Sequence, residues 1–166
     1  MDLLHQSSAD QANDFIERQP DEYNPFTLLF ADSISAYVAH NDNDKILSEK
    51  LDPGLHVYSS AADFDLPSGK ARRAQVLFAE FETAARHGGM DMTEAVTTLQ
   101  PVLADHTFGP ASGNPGDAIC VHREESGTVS SSIVFFSQSK SRFTSFYCDG
   151  PPCRNAFSTA LKLNLS

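Results

Sequence analysis

Phe26-Thr27-Leu28-Leu29-Phe30-Ala31 decides the fold class, because its apolar side chains stand at consecutive rather than alternating positions. Successive side chains of a strand point to opposite faces, so a short run of this kind reads as a strand that seeks burial on both sides. Ile133-Val134-Phe135-Phe136 repeats the pattern far downstream. Between them lie two stretches of helical period. Lys70 to His87 sets Ala74, Leu77, Phe78, Phe81 and Ala85 on one stripe, and Gly88-Gly89 closes it, glycine being the residue that ends a helix in the left-handed conformation. Asp91 to Ala104 opens with Asp91 at the cap and Glu94 three positions on, the spacing of a capping box. Ala95, Val96, Leu99, Val102 and Leu103 form its apolar stripe, and Pro101 is predicted to kink it or to end its regular part.

Working outward toward the N-terminus, Ser8 to Gln19 carries Ala9, Ala12, Phe15 and Ile16 at helical spacing and stops at Pro20. After Phe26–Ala31 and a tight turn at Asp32-Ser33, Ser33 to His40 reads as a strand. Asn41-Asp42-Asn43-Asp44 is turn chemistry. Lys45 to Leu51 reads as a third strand and Leu55-His56-Val57-Tyr58-Ser59 as a fourth. Toward the C-terminus, the Gly-, Pro- and Ser-rich stretch His106 to Pro115 is a loop. Ala118 to His122, Thr128 to Ser137 and Arg142 to Cys148 read as strands, the last two joined by Gln138-Ser139-Lys140-Ser141. Asp149-Gly150-Pro151-Pro152 breaks the final one, and the tail from Asn155 shows no strong pattern. The order helix, strands, helix pair, strands predicts an α+β fold with antiparallel sheet, as a single domain over residues 1–166.

Composition narrows the function classes. The 166 residues are 40 % hydrophobic and 20 % charged, ordinary for a folded chain. A formal charge of −10, from 22 acids against 12 bases, repels phosphate backbones, so nucleic acid is not an expected partner. No apolar segment is long enough to span a bilayer. Cys120, Cys148 and Cys153 are an odd set, which argues against a disulfide framework and for a reducing, cytoplasmic compartment. Trp is absent and Phe occurs twelve times, so Phe supplies the large core side chains.

Several residues admit two readings. Ser130 and Ser132 share a strand face and either line a cleft or turn to water, with Ser131 opposite. Cys120, His122, Cys148 and Cys153 are four potential zinc ligands, but the pattern lacks a Cys-x2-Cys knuckle. A buried, free Cys120 is preferred, and no metal or cofactor is assigned. His56 reads as a surface or hydrogen-bonded side chain, Asp105-His106 as the end cap of a helix, and Glu124-Glu125 as a loop tip.

A resemblance adds what periodicity does not. Tyr23-Asn24 through Asp32 is similar to the "Y-N-x-F-N-L-L/I-x-x-D" strand of the NRDE (transport and Golgi organisation type) family. Leu55 to Ala61, Pro67 and Lys70 to Ala74 resemble its "G-L-x-x-L-S-N-A…P-W-x-K" segment. Ile119 to His122 followed by Ser126 to Ile133 resembles its "V-C-V…Y-G-T-R-S/T-x-S/T" strands, and Cys148 to Cys153 looks like the ending of bacterial members. These matches run in order from about Ala12 to Cys153.

The resemblance implies a partial αββα sandwich of the N-terminal-nucleophile hydrolase type, with an antiparallel sheet and a helix pair. In such hydrolases a chain-terminal Cys attacks an amide while its own α-amine acts as base. The family's Met-Cys and Asn-Arg-Asp-Glu openings have no match here, so the resemblance implies the C-terminal portion of a member. The family's oxyanion amide and guanidinium would fall at Ser60 and Val129, where this chain has neither group. No catalytic residue is therefore assigned. The candidate cleft is Ser59, Ser60, Thr128, Val129, Ser130 and Ser132.

Two functions follow from the resemblance. The preferred one is a non-catalytic or incomplete domain that binds a small apolar or amphipathic ligand, lipid- or haem-like, or a protein partner. The alternative is one piece of an N-terminal-nucleophile amidohydrolase whose nucleophilic Cys lies upstream of this chain. An incomplete sandwich should leave a sheet face uncovered, with a homodimer as one way to bury it.

Overall fold

The computed structural model describes residues 2–19, 23–41, 45–58, 68–108 and 113–164. Within them the chain forms three α-helices and two antiparallel three-stranded sheets, an α+β architecture as predicted. It divides into two compact units, Met1–Leu66 and Pro67–Ser166.

In the first unit helix α1 (Ala9–Ile16) packs on a sheet of order β1 (Phe26–Ala31), β2 (Ala36–Asn41), β3 (Ile46–Lys50). Ser8 caps the helix, its side chain accepting from Gln11 N. Phe26, Leu28 and Phe30 alternate onto the helix side, where they meet Leu3, Ala12, Phe15, Ile16, Ala39 and Ile46. Asp32 ties turn to helix. Its Oδ1 accepts the N–H groups of Ile34 and Ser35 at 2.7 and 2.8 Å, and its Oδ2 accepts Ala9 N at 2.8 Å. Those backbone donors, Ala9 first, hold its carboxyl below the ordinary range. Val38 and Ala39 are successive, hence on opposite faces, and both are 0 % exposed. The central strand of this sheet is thus buried on both sides.

The second unit carries helices α2 (Gly69–Gly88) and α3 (Met92–Leu103) on one face of a sheet of order β4 (Ser130–Ser137), β5 (Arg142–Asp149), β6 (Leu161–Asn164). Gly89 ends α2 with a left-handed φ of 60°, and Asp91 caps α3 by accepting from Glu94 N, both as the sequence predicts. Phe78, Phe81, Val96, Leu99 and Leu103 pack against Ile133, Phe135 and Phe146. The buried members, Val96, Leu99, Ile133 and Phe146, contribute about 1.5–3 kcal/mol each and the half-buried ones less.

Three expectations are corrected. Residues 55–58 form no strand; His56 is exposed and its Nε2 lies 2.7 Å from Asp52 O. Ala118 to His122 forms no strand either, because Cys120 N bonds Asp105 O and Val121 N bonds the Thr128 hydroxyl rather than a ladder partner. The tail, read as patternless, supplies strand β6. Helix α3 spans Met92–Leu103 with Pro101 inside it, matching the bounds Asp91 to Ala104 read from the sequence, since a missing N–H so near the C-terminus removes little.

Candidate functional site

Of the candidate cleft residues, Ser59 and Ser60 lie outside the described residues. Thr128 is turned into a local structure: its N–H bonds Val121 O at 2.9 Å and its hydroxyl accepts Val121 N at 3.0 Å. It lines a shallow depression of about 300 Å³ with Lys70 and Arg123. Val129 is 78 % exposed. Ser130 and Ser132 share the outer face of β4 and are exposed, whereas Ser131 points inward.

The register shows what surrounds those hydroxyls. On the face turned away from the helices, Ser130 pairs with Asp149 and Ser132 with Tyr147; next come Val134, Ser145 and Leu161, then Phe136, Phe143 and Leu163. One end is polar and the other apolar. Val134, Phe136, Tyr147, Leu161 and Leu163 are all substantially exposed, Val134 at 57 %. Phe136 and Phe143 lie with ring centroids 4.8 Å apart. Monomeric proteins rarely leave contiguous apolar area of this kind in water.

The cysteines fall into two environments. Cys148 points into the core from β5 and is 0 % exposed, its Sγ near the carbonyls of Gly150 and Asn155. Burial, followed by Asp149 and Cys153, pushes its thiol up, which leaves a protonated and inert side chain. Cys120 and Cys153 approach one another at 3.7 Å, and His122 Nε2 stands 3.8 Å from Cys120 Sγ and 3.2 Å from Cys153 Sγ. Burial raises the Cys120 thiol, and desolvation together with Arg154 and His106 lowers His122, favouring its neutral imidazole.

His106, which the sequence places at a helix end, joins this group. It follows α3, its Nδ1 lies 2.9 Å from Cys120 O, and its ring centroid is 5.0 Å from that of His122. The segment is fixed by Asp105: burial would raise its carboxyl, but the two-pronged contact from Arg73, at 3.0 and 3.3 Å, outweighs this and holds it low. Cys153 reaches the group because Gly150, at φ 110°, turns the chain out of β5. Gln100 of α3 then donates to the carbonyls of Pro152 and Asn155 and holds that turn. Cys120, His122 and Cys153 were legible as a potential ligand set; His106 in place of Cys148 was not. The interval from 106 to 120 matches no knuckle spacing.

A family model described as Transport and Golgi organisation 2 matches residues 1–146. The chain belongs to this family. The resemblance carried by Tyr23 to Asp32 and by Ser126 to Ile133 is borne out at that level. No curated protein and no solved structure matches the chain. Among the described residues no helix is long and apolar enough to cross a membrane.

Proposed function

We propose that this member of the Transport and Golgi organisation 2 family works as one non-catalytic domain. It binds an amphipathic ligand, lipid- or haem-like, or a partner protein of the same chemistry, on the outer face of the β4–β5–β6 sheet. The graded face carries this reading: Ser130, Ser132 and Tyr147 offer hydroxyls at one end, while Val134, Phe136, Leu161 and Leu163 offer apolar surface at the other. A ligand with a polar head and an apolar body buries its body there without stripping its head of hydrogen bonds. A second copy of the chain fits the same face. Three free cysteines suit a reducing, cytoplasmic setting.

Loss of hydrolase chemistry is supported by the buried, raised thiols of Cys120 and Cys148 and by Val129, which stands exposed and uncharged where the resemblance expects a guanidinium. The amidohydrolase alternative, with the nucleophile upstream in a fuller sandwich, makes the opposite forecast. The test joins two assays on the full chain. Fluorescence titration with an acyl-chain probe should saturate for the native chain and weaken at least tenfold for Val134→Lys. Amide and thioester panels should show no turnover. Saturable binding unaffected by Val134→Lys refutes the face. Turnover lost on replacing all three cysteines refutes the absence of cysteine chemistry.

A further inference from the structure

We propose that His106, Cys120, His122 and Cys153 form a closed, four-coordinate site for one zinc-class divalent cation, which staples the second unit together. Their ligand atoms all lie within 4.8 Å of one another. A tetrahedral centre with Zn–S near 2.3 Å and Zn–N near 2.0–2.1 Å requires sulfurs about 3.8 Å apart and sulfur–nitrogen pairs about 3.5 Å apart. The chain presents 3.7 Å between Cys120 and Cys153, with 3.8 and 3.2 Å from them to His122 Nε2. A cation at the centre needs shifts of only a few tenths of an ångström among those three atoms, and the fourth ligand, His106, closes onto it from within the 4.8 Å span of the group.

Tautomer chemistry agrees. A carbonyl only accepts, so the His106 nitrogen facing Cys120 O must carry the proton, leaving Nε2 with its lone pair. A metal-bound histidine is held in this way when its other nitrogen donates to a backbone carbonyl. Cys120 thereby serves twice, as a thiol and as the anchor of His106. Two thiols and two imidazoles select a soft-to-borderline cation over calcium or magnesium, and two thiolates neutralise its charge. Binding exchanges one proton from each thiol for a metal–sulfur bond, releasing two protons and changing no oxidation state.

The four ligands come from three separate segments: the end of α3, the turn at 120–122, and the turn that follows β5. With every position filled by protein, the site is structural, and no coordination position stays open for a substrate. The Cys153–His122 pair, read alone, would suit a nucleophile and its base. The second thiol and second imidazole at the same centre favour the metal.

The experiment uses the full, reduced, metal-free chain. Zinc competition against a chromophoric chelator should give one ion per chain and raise the melting temperature. Cobalt(II) should give the intense visible bands of tetrahedral coordination with sulfur-to-metal charge transfer. His106→Ala and Cys153→Ser replace exposed and half-buried side chains, so they keep the fold. Each should weaken binding by at least about tenfold, losing a ligand where loss of a supporting contact alone costs about 10–100-fold. His87→Ala, on the exposed face of α2, should bind as the native chain does. Failure to retain zinc, an octahedral cobalt spectrum, or unchanged affinity in both ligand variants overturns the site. These readouts leave the outer sheet face untouched, so the two proposals fail separately.

Discussion

The two sheets have the same strand count and antiparallel order, yet their central strands live in opposite environments. In β2, Val38 on the side away from α1 is 0 % exposed and its face-mate His40 is 4 % exposed. In β5, Tyr147 on the side away from the helices is 47 % exposed. The first sheet is therefore buried on both faces at its centre, although Leu29 and Leu47 on its flanking strands stay 55 % and 41 % exposed, while the second is one-sided at its centre as well. The doubly apolar runs Phe26–Ala31 and Ile133–Phe136 belong instead to the edge strands β1 and β4, where Leu29 at 55 % and Val134 at 57 % are alike exposed. The difference teaches that a doubly apolar strand reports a need for burial, not its fulfilment.

The sharpest way to break this comparison is to place the same charge at the same residue type in both sheets. Val38→Lys buries an unpaired ammonium and should cost several kcal/mol, enough to unfold the first unit. Val134→Lys adds a charge in water and should stay within about 0.5 kcal/mol. Thermal melts followed by circular dichroism check both, and equal effects would erase the distinction. Within the second sheet the two sides of β4 should differ as well. Ile133→Ala, on the helix side, should cost about 2–4 kcal/mol by leaving a cavity, whereas Phe136→Ala on the outer side should cost well under half of that. Urea unfolding of the two variants measures the contrast.

A smaller effect belongs to Asp32. Because folding lowers its pKa, its contribution is complete above the unfolded value of about 3.9 and is lost as pH falls through the lower folded value. Asp32→Ala should cost about 1–2 kcal/mol at neutral pH, as loss of a helix cap does, and should flatten the acid limb of the stability curve. An unchanged acid limb would show that other carboxylates control it. The smallest change is expected at Thr144, whose buried hydroxyl has no partner among the described residues. Thr144→Val removes that unpaired group and should be neutral or stabilising by up to about 1 kcal/mol, read from the denaturant midpoint.

What was legible in the sequence was local. The bounds of β1, the cap at Asp91, the left-handed Gly89 and the apolar stripe of α1 each depend on neighbours within a turn or two. What was missed depends on distant partners. Leu161-Lys162-Leu163-Asn164 is too short and too exposed to announce a strand; pairing with Arg142 to Ser145 makes it one. Ala118 to His122 has strand-like composition, but Asp105 and Thr128 take its backbone groups. His106 joins the cysteine–histidine group through the fold, across an interval that no short motif encodes. Among the cleft candidates, alternation placed Ser130 and Ser132 together correctly, while Thr128 was drawn away by a turn that only the backbone contacts reveal.

The outer face of the β4–β5–β6 sheet is tested most directly by sedimentation equilibrium at micromolar concentration with a hydrophobic dye present, following protein and dye absorbance together. The expected result is dye travelling with a monomer, or a dimer whose interface buries at least about 1,000 Å², and loss of whichever is seen in Val134→Lys. A native monomer that carries no dye would show that this face binds nothing apolar, and would contradict the central claim.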